Sequence, residues 1–275
     1  MGHGERARWS RVRLSPGAPP LDLMTARFER HCYAPHVHEE FSIGVCLSGL
    51  EHIDYRRGRL LAGPGTIVIL EPDEPHTGSA ARPGGFAYRA FYPAAGLLTE
   101  GVRGRPYFRD GVVQDEGLAA ALARAHRAAT GEPDPLRWES EVVWLLAALV
   151  RRHAAPDSAR PVRTVSGGEH VARVVRERLA DQPRTPPTLA EIAADLGLSR
   201  YQVLRAFRTS TGMPPYAWLA QHRVARARAL LAAGRRPAEV AELVGFADQA
   251  HLTRWFRRVT GVTPGAYRNS VQDNV

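Results

Sequence analysis

The C-terminal part of the chain contains one pattern twice, and this repeat limits the fold more than any other feature. The first copy begins at Ala190-Glu191-Ile192-Ala193 and the second at Ala238-Glu239-Val240-Ala241, an offset of 48 positions. Further on, Phe207-Arg208 recurs as Phe256-Arg257 at an offset of 49. One residue has therefore been gained between these points in the second copy, and a turn is where an insertion costs least.

Each copy predicts a helix-turn-helix, with a glycine in the turn and a second helix whose N-cap is Ser199 or Asp248. The second helix of such a motif can enter the DNA major groove. Between the copies, Tyr216 to Ala233 holds no Pro or Gly and predicts a helix of about 20 residues and about 30 Å. This length is close to one turn of B-DNA, roughly 34 Å. The repeat therefore predicts two recognition helices held in successive major grooves.

The polar faces of the two recognition helices supply the candidate DNA contacts. Apolar residues repeat at helical spacing, Val203 with Phe207 and Leu252 with Phe256, and mark the buried face. On the other face, Arg and Gln are suited to bidentate contacts with guanine and adenine. The residues predicted to read bases are Tyr201, Gln202, Arg205, Gln249, His251 and Arg254. The residues predicted to contact phosphates are Arg200, Arg208, Thr209, Arg257 and Arg258.

The segment from about Glu169 to Arg268 resembles the DNA-binding domain of the AraC/XylS family of bacterial transcription regulators. The matching motifs are Leu189-Ala190-Glu191-Ile192-Ala193, Gly197-Leu198-Ser199, Phe207-Arg208, Thr211-Gly212, Pro215, Arg223, Ala227-Arg228-Ala229-Leu230-Leu231, Val244-Gly245-Phe246, Phe256-Arg257-Arg258, Gly261 and Thr263-Pro264-Gly265-Ala266-Tyr267-Arg268. Leu204 departs from the pattern, since such helices often carry a polar base-reading residue there; contact with a thymine methyl and burial both stay open. The resemblance implies a transcription regulator, not an enzyme, with double-stranded promoter DNA and RNA polymerase as partners.

The charge is concentrated in this segment. Residues 169–268 hold 16 Arg and 8 Asp or Glu, a net +8 of the total +9, whereas residues 15–168 hold 17 Arg and 18 Asp or Glu, a net −1. A basic domain joined to a near-neutral one is typical of a DNA-binding module attached to another function.

Several absences also guide the interpretation. Met1 to Arg13 has no apolar core of the kind found in a signal peptide. The longest apolar run, Val142 to Val150, has nine residues, against about 20 for a membrane span. Cys32 and Cys46 are too few for a disulfide framework or a Cys-based zinc site and are predicted to be buried free thiols. We therefore expect a cytoplasmic protein with no membrane partner and no cofactor.

The N-terminal part has the composition of short strands separated by turn residues. The predicted strands are Leu23 to Arg30, Phe41 to Leu47, His52 to Tyr55, Thr66 to Leu70 and Phe86 to Tyr92. Strands at this spacing favour a sandwich or small barrel. Pro35-His36-Val37-His38 with Gly49, and the stretch from Ala62 to Gly78, resemble the two cupin motifs, and the resemblance implies a cupin-type sensor for a small-molecule effector.

The predicted effector pocket is defined by histidines and by one strand. Its candidate residues are His36, His38, His76, Tyr88, Arg89 and Tyr92. In a strand, Tyr88 and Tyr92 share one face and Arg89 takes the other, so whether Arg89 points inward stays open. Metal-binding cupins add a carboxylate after the His pair; Glu39 and Glu40 come too early for it, and structural histidines without metal are the favoured reading.

Two helices are predicted between the strands and the basic segment, Leu118 to Ala129 and Leu136 to His153. The second contains the run Val142 to Val150, which is apolar all round and indicates burial on more than one side. In regulators of this type such a helix pair commonly forms the dimer interface, so a homodimer is expected, with simple coverage of the barrel as the alternative. The predicted division is a cupin-like domain at 15–112, a dimerisation segment at 113–153, a linker at 154–168 and the DNA-binding domain at 169–272.

The sequence thus predicts an α+β multidomain protein: an N-terminal cupin-like β-barrel with a helical hairpin, and an all-α domain with two helix-turn-helix motifs. The leading functional hypothesis is a ligand-responsive transcription regulator. The alternative is a metal-binding cupin, either an enzyme or a metal sensor, fused to a DNA-binding domain. A DNA-repair methyl acceptor would need a reactive Cys and a multi-Cys zinc site, which two cysteines do not provide.

Overall fold

The computed structural model describes residues 5–14, 19–56, 58–99, 105–129, 135–155 and 167–272. The chain divides into two compact units, residues 1–161 together with 270–275, and residues 162–269. Apart from the end of the last helix, the described part of the first unit is built from strands and three helices, and that of the second from helices alone. This arrangement agrees with the predicted α+β class. In the described ranges, no helix is both long and apolar enough to span a bilayer.

The strands of the first unit form two sheets. Their bounds are β1 (Arg6–Val12), β2 (Leu21–Phe28), β3 (Tyr33–His36), β4 (Ser42–Gly49), β5 (Glu51–Tyr55), β6 (Gly58–Ala62), β7 (Thr66–Leu70), β8 (His76–Ala80), β9 (Phe86–Tyr92) and β10 (Val112–Gln114). One sheet has the order β1-β2-β9-β4-β7-β10 and the other the order β3-β8-β5-β6. Every assigned pair is antiparallel.

The six-stranded sheet is buried on both faces because its strands carry apolar residues at odd and even positions alike. Leu23, Ile43 and Phe91 belong to one face and share a core with the following helices. Met24 and Tyr88 belong to the other face, where the Tyr88 hydroxyl lies 3.2 Å from the Tyr33 hydroxyl of the second sheet. The space between the sheets is therefore lined by side chains from both of them.

Three helices follow: α1 (Ala95–Thr99), α2 (Glu116–Ala128) and α3 (Pro135–His153). Asp115 caps α2 by accepting a hydrogen bond from the Leu118 amide at 3.0 Å. Trp138 of α3 donates its indole N–H to the Ala125 carbonyl of α2 at 2.8 Å, which pins the two helices together. The apolar run of α3 contributes residues such as Val142 and Leu149 to the core shared with the strands. Within that core α3 packs against α2 and α1, and α2 lies against β4, β7 and β9.

The second unit contains seven helices in its described part. They are α4 (Gly167–Asp181), α5 (Leu189–Asp195), α6 (Arg200–Thr211), α7 (Pro215–Ala232), α8 (Pro237–Val244), α9 (Gln249–Thr260) and α10 (Pro264–Gln272). The predicted N-caps are confirmed: Ser199 accepts from the Gln202 amide, and Asp248 accepts from the His251 amide. Helix α7 has 18 residues and is about 27 Å long.

Some sequence-based details need correction. β1 pairs with β2 along its whole length, so the first sheet begins before the predicted domain start at residue 15. Cys32 and Cys46 are both free, but Cys32 is exposed rather than buried. Helix α4 begins at Gly167, inside the predicted linker. The rest of that linker, 156–166, lies outside the described residues, as does the Gly131-Glu132-Pro133 break between α2 and α3.

Candidate DNA-binding surface and effector site

Helices α6 and α9 each bury one stripe and expose the other. Val203 and Phe207 in α6, and Leu252 and Phe256 in α9, are completely buried, as their spacing predicts. The opposite stripe of α6 is exposed from Arg200 onward. Leu204 is half-buried between the two stripes. Each helix is therefore anchored in the core by its apolar face and exposes a polar face to solvent.

Arginines on these exposed faces are not tied to carboxylates. In the described part of the chain, no salt bridge involves Arg200, Arg205, Arg208, Arg254 or Arg257. Elsewhere in the same unit Arg178 is paired with Asp195, and Arg235 with Glu239. Unpaired guanidinium groups can meet phosphates or guanine edges without first breaking an ion pair.

Gln202 has a structural task that the sequence interpretation overlooked. Its side-chain oxygen accepts from the Ser199 amide at 2.8 Å and lies 2.9 Å from the Ser199 hydroxyl. Together with the Ser199 cap, this forms a capping box. In this arrangement the amide NH₂ is the part of the side chain left for a base, so Gln202 stays a proposed base-reading residue as a donor. The Ser-x-x-Gln pattern at 199–202 was the signal for this role.

His251 is also engaged within the protein. Its Nε2 lies 2.9 Å from the Tyr216 hydroxyl, and its ring meets the Phe246 ring edge-on at 5.1 Å. The side chain is half-buried, in contrast to the exposed Gln249 and Arg254 of the same helix. His251 stays a proposed base-reading residue, with one ring nitrogen already facing Tyr216. Arg258, one of the phosphate candidates, lies over the Trp255 ring at 5.3 Å.

In the first unit, His36, His38 and His76 form a compact cluster at one end of the space between the sheets. Their ring centroids are 4.2 to 5.0 Å apart, and one potential ligand nitrogen from each lies within 4.8 Å of the others. His36 donates from Nδ1 to the Ala34 carbonyl at 2.8 Å, and His76 to the Glu74 carbonyl at 2.9 Å. These bonds place the proton on Nδ1 and leave Nε2 as the acceptor.

Burial keeps the two inner imidazoles neutral. It lowers the pKa of His76 to about 3, with a further contribution from His38. It also lowers the pKa of His36 well below its ordinary value, assisted by His76. Both rings are therefore uncharged at neutral pH, the form in which a histidine accepts a hydrogen bond or ligates a metal.

Aromatic side chains continue from this cluster along the space between the sheets. The Tyr92 ring lies 5.2 Å from that of His38 and 4.8 Å from that of Trp9. Tyr88 and Tyr92 share this face, as their alternation predicts, and both hydroxyls point to the Met24 sulfur. The predicted pocket residues His36, His38, His76, Tyr88 and Tyr92 thus lie together.

Arg89 does not belong with them. Its strand partners place it on the opposite face of the sheet, and its guanidinium donates to the Ala123 carbonyl of α2 at 3.4 Å. Burial, and then the nearby Arg127, lower its pKa. The alternative in which an inward Arg89 binds an anionic effector is therefore wrong.

Glu51 is a charged residue of this interior that the sequence interpretation missed. It is 9% exposed, and although its backbone pairs with β6 and β8, its carboxyl forms no hydrogen bond or ion pair with the described residues. Burial raises the pKa of its carboxyl to about 8. The sequence feature that indicates its burial is its position in β5, on the same face as the buried Ile53 and Tyr55.

Two protein families match the two units of the chain. A helix-turn-helix domain family matches residues 192–270. A family described as the AraC-like ligand binding domain matches residues 18–146. Together they cover the duplicated motif and the two-sheet unit with its helices.

Known proteins agree with both matches. The chain is 26% identical over 242 residues to the uncharacterized HTH-type transcriptional regulator YbfI of Bacillus subtilis, covering 85% of this chain and 87% of YbfI. It is 32% identical over 88 residues to the arabinose operon regulatory protein of Escherichia coli, covering 32% of this chain and 30% of that protein. ToxT of Vibrio cholerae, solved with an unsaturated fatty acid bound, matches with a TM-score of 0.54 and 10% identity, over 99% of this chain and 97% of ToxT. At that identity the likeness establishes the fold alone.

The family matches, the full-length relative and the shared fold lead to one assignment, which agrees with the resemblance found in the sequence. This assignment is a transcription regulator and not an enzyme. The chain belongs to the AraC family of helix-turn-helix transcriptional regulators and carries an AraC-like ligand-binding domain ahead of its DNA-binding domain.

Proposed function

We propose that this regulator reads two adjacent major grooves of promoter DNA with α6 and α9, and that a small-molecule effector bound between the two sheets of the first unit controls this reading. One observation carries the proposal. Two N-capped helices of the same unit each bury an apolar pair and expose unpaired arginines on the opposite stripe.

Within the DNA-binding surface, some residues are proposed to read bases and others to contact phosphates. Arg205 and Arg254 lie in the middle of the exposed stripes and are proposed to read guanine edges, with Tyr201 and Gln249 beside them. Tyr201 is 70% exposed, so its ring is available to a base or sugar. The proposed phosphate contacts are Arg200, Arg208, Thr209, Arg257 and Arg258. Helix α7, which separates the motifs, is about 27 Å long, against a groove repeat of roughly 34 Å.

The effector site is proposed to be centred on His38, His76 and Tyr92. ToxT, which shares the fold, has been solved with an unsaturated fatty acid bound. In this chain the proposed lining combines neutral imidazoles with tyrosine and tryptophan rings. Such a lining suits a ligand with an apolar body and hydrogen-bonding groups.

The dimer is proposed to form through α3. Leu136 is 72% exposed and Trp144 59% exposed, and with Ser140 between them they lie on one stripe of the helix, opposite its buried face. Two large apolar side chains in water on one helix face are typical of an interface. RNA polymerase is the further partner expected at the promoter.

The experiment that tests this function is genome-wide footprinting of the protein on its own chromosome. Two sequence elements about one helical turn apart are the expected result, upstream of genes whose products indicate the effector. Candidate effectors are then titrated against promoter binding. Binding sites with a single element would contradict the reading by two motifs, and an effector response that survives deletion of the first unit would contradict the sensor assignment.

A metal sensor is a second candidate, and the histidine cluster favours it. Three imidazoles with potential ligand nitrogens within 4.8 Å can ligate zinc or another divalent metal. The Nδ1 bonds of His36 and His76 to backbone carbonyls resemble the outer contacts of metal-bound histidines. Metal analysis of the purified protein separates the two candidates. Stoichiometric metal that a chelator removes, with a change in promoter affinity, would support the metal sensor.

A further inference from the structure

The segment that leads into the first helix-turn-helix lies against the turn of the second. Arg223 of α7, only 6% exposed, donates from both Nε and Nη2 to the Pro183 carbonyl, at 2.8 and 2.6 Å. A carbonyl that accepts two donors of one guanidinium is held in direction as well as in distance. Pro183 lies in the loop between α4 and α5, six positions before α5 begins, so this bond ties the segment that leads into the first motif to the helix between the motifs.

Gly245, in the turn of the second motif, meets the same segment. A Cβ at this position would lie 2.6 Å from the Pro183 carbonyl oxygen and 2.8 Å from the Arg184 Cα. Both neighbours are backbone atoms, which cannot move aside as a flexible side chain can. Pro183, Arg184, Arg223, Gly245 and Phe246 thus form one set of contacts, called here the inter-motif junction.

Phe246 extends the junction toward the second recognition helix. It is buried, and the Arg223 guanidinium lies 5.6 Å from its ring centre. Its ring also contacts His251 in the first turn of α9, and His251 is bonded to Tyr216 at the start of α7. The position of α9 is therefore linked through the junction to the backbone that begins the first motif.

The first motif has no equivalent contact at its own turn. Gly197 corresponds to Gly245 in the repeat, and it also has a positive φ, +63° against +94°. A Cβ on Gly197 would meet nothing within 4 Å. The close approach is thus specific to the second copy, whose turn also holds the extra residue. Glycine is required at 197 by backbone conformation alone, and at 245 by conformation and by contact.

We propose that Arg223 is a positioning residue for DNA reading: through the inter-motif junction it fixes α6 and α9 relative to each other, and so sets the one spacing between sequence elements that the protein accepts. This inference rests on the proposed reading of two grooves. It adds that the spacing is enforced by the junction and not by the length of α7 alone.

The test uses the full-length chain and a pool of random DNA duplexes. Sites are selected with the wild type, and its affinity is then measured for the best site and for the same site with one base pair inserted between the two elements. For the wild type we expect a loss of at least 20-fold on insertion. For Arg223→Met and Gly245→Ala we expect weaker binding to the best site and an insertion penalty below about 5-fold, since α9 can then shift relative to α6.

Two matched variants separate positioning from general damage. Gly197→Ala introduces the same backbone strain without the contact, so it should keep the wild-type insertion penalty. Arg223→Lys keeps the charge with one donor group and should give an intermediate penalty. Phe246→Leu is a third variant that perturbs the junction, for use if circular dichroism shows that Arg223→Met or Gly245→Ala is unfolded. It should also lower the insertion penalty.

The outcomes are distinguishable. If folded Arg223→Met, Gly245→Ala and Phe246→Leu all keep the wild-type insertion penalty, the junction does not set the spacing and the inference is wrong. If the wild type itself selects sites with one element or tolerates any spacing, the reading of two grooves is wrong, and the inference falls with it.

Discussion

Glu51 allows a test of the interior of the effector-binding unit that needs no knowledge of the ligand. Its carboxyl is buried between the sheets without a hydrogen-bonding or ionic partner in the described residues. Burial raises its pKa from 4.5 to about 8. At neutral pH the native protein therefore holds it as the neutral acid, whereas the unfolded chain ionises it.

The sign of the effect follows from this difference. Since the folded pKa lies above the unfolded value, the contribution of Glu51 to stability is fully present below pH 4.5 and is lost as the pH rises toward 8. Within that window the loss is about 1.4 kcal/mol per pH unit. Over the whole window it approaches about 5 kcal/mol. Glu51→Gln has nearly the same shape and cannot ionise, so it should not show this loss.

The assay is urea unfolding of the wild type and Glu51→Gln, followed by circular dichroism at pH 5, 6, 7 and 8. The difference between the two proteins cancels every other titrating group they share. We expect the free energy of unfolding of Glu51→Gln, relative to that of the wild type, to rise by about 3 kcal/mol between pH 5 and pH 7. Parallel pH profiles for the two proteins would refute the reasoning, because they would mean that the carboxyl ionises at its ordinary pKa in the folded state.

Three further predictions concern function. Arg205→Ala and Arg254→Ala should each cost about 1–3 kcal/mol at the specific site and little on random DNA; equal losses on both DNAs would make these residues phosphate contacts. A fragment from residue 168 to 275 should bind DNA in a salt-dependent way but more weakly than the full chain, and equal affinity with a monomeric full chain would remove the case for α3 as a dimer interface. His38→Ala and His76→Ala should shift the effector titration of promoter binding to higher concentration, by about 1–3 kcal/mol, while effector-free DNA affinity stays constant; unchanged titrations with normal folding would make the histidines structural.

The sequence predicted most reliably where local pattern and tertiary contacts agree. The strands β7 and β9 were predicted with their observed bounds, because both are rich in β-branched or aromatic residues and turn residues flank them. The caps at Ser199 and Asp248 were equally visible, since N-capping depends on a few neighbouring residues.

The predictions failed where distant segments decide the structure. β1 carries several charged residues and is a strand because β2 offers it an edge to pair with, which no local pattern shows. The direction of Arg89 depended on which face of the sheet the helices cover. The contact between His251 and Tyr216 could not be predicted either, since only the fold brings these residues together across 35 positions.

The exposure of Trp144 has an optical consequence. The chain has five tryptophans; Trp9 and Trp138 are almost completely buried, Trp218 and Trp255 are half-buried, and Trp144 is 59% exposed. Trp144 therefore faces water most directly, and a soluble quencher should reach its indole first. Association through α3 would move that ring into an apolar contact, shift its emission to shorter wavelength and protect it from the quencher. Trp144 is thus an intrinsic reporter for the proposed interface, and association through α3 can be tested with it during effector and DNA titrations without an added label.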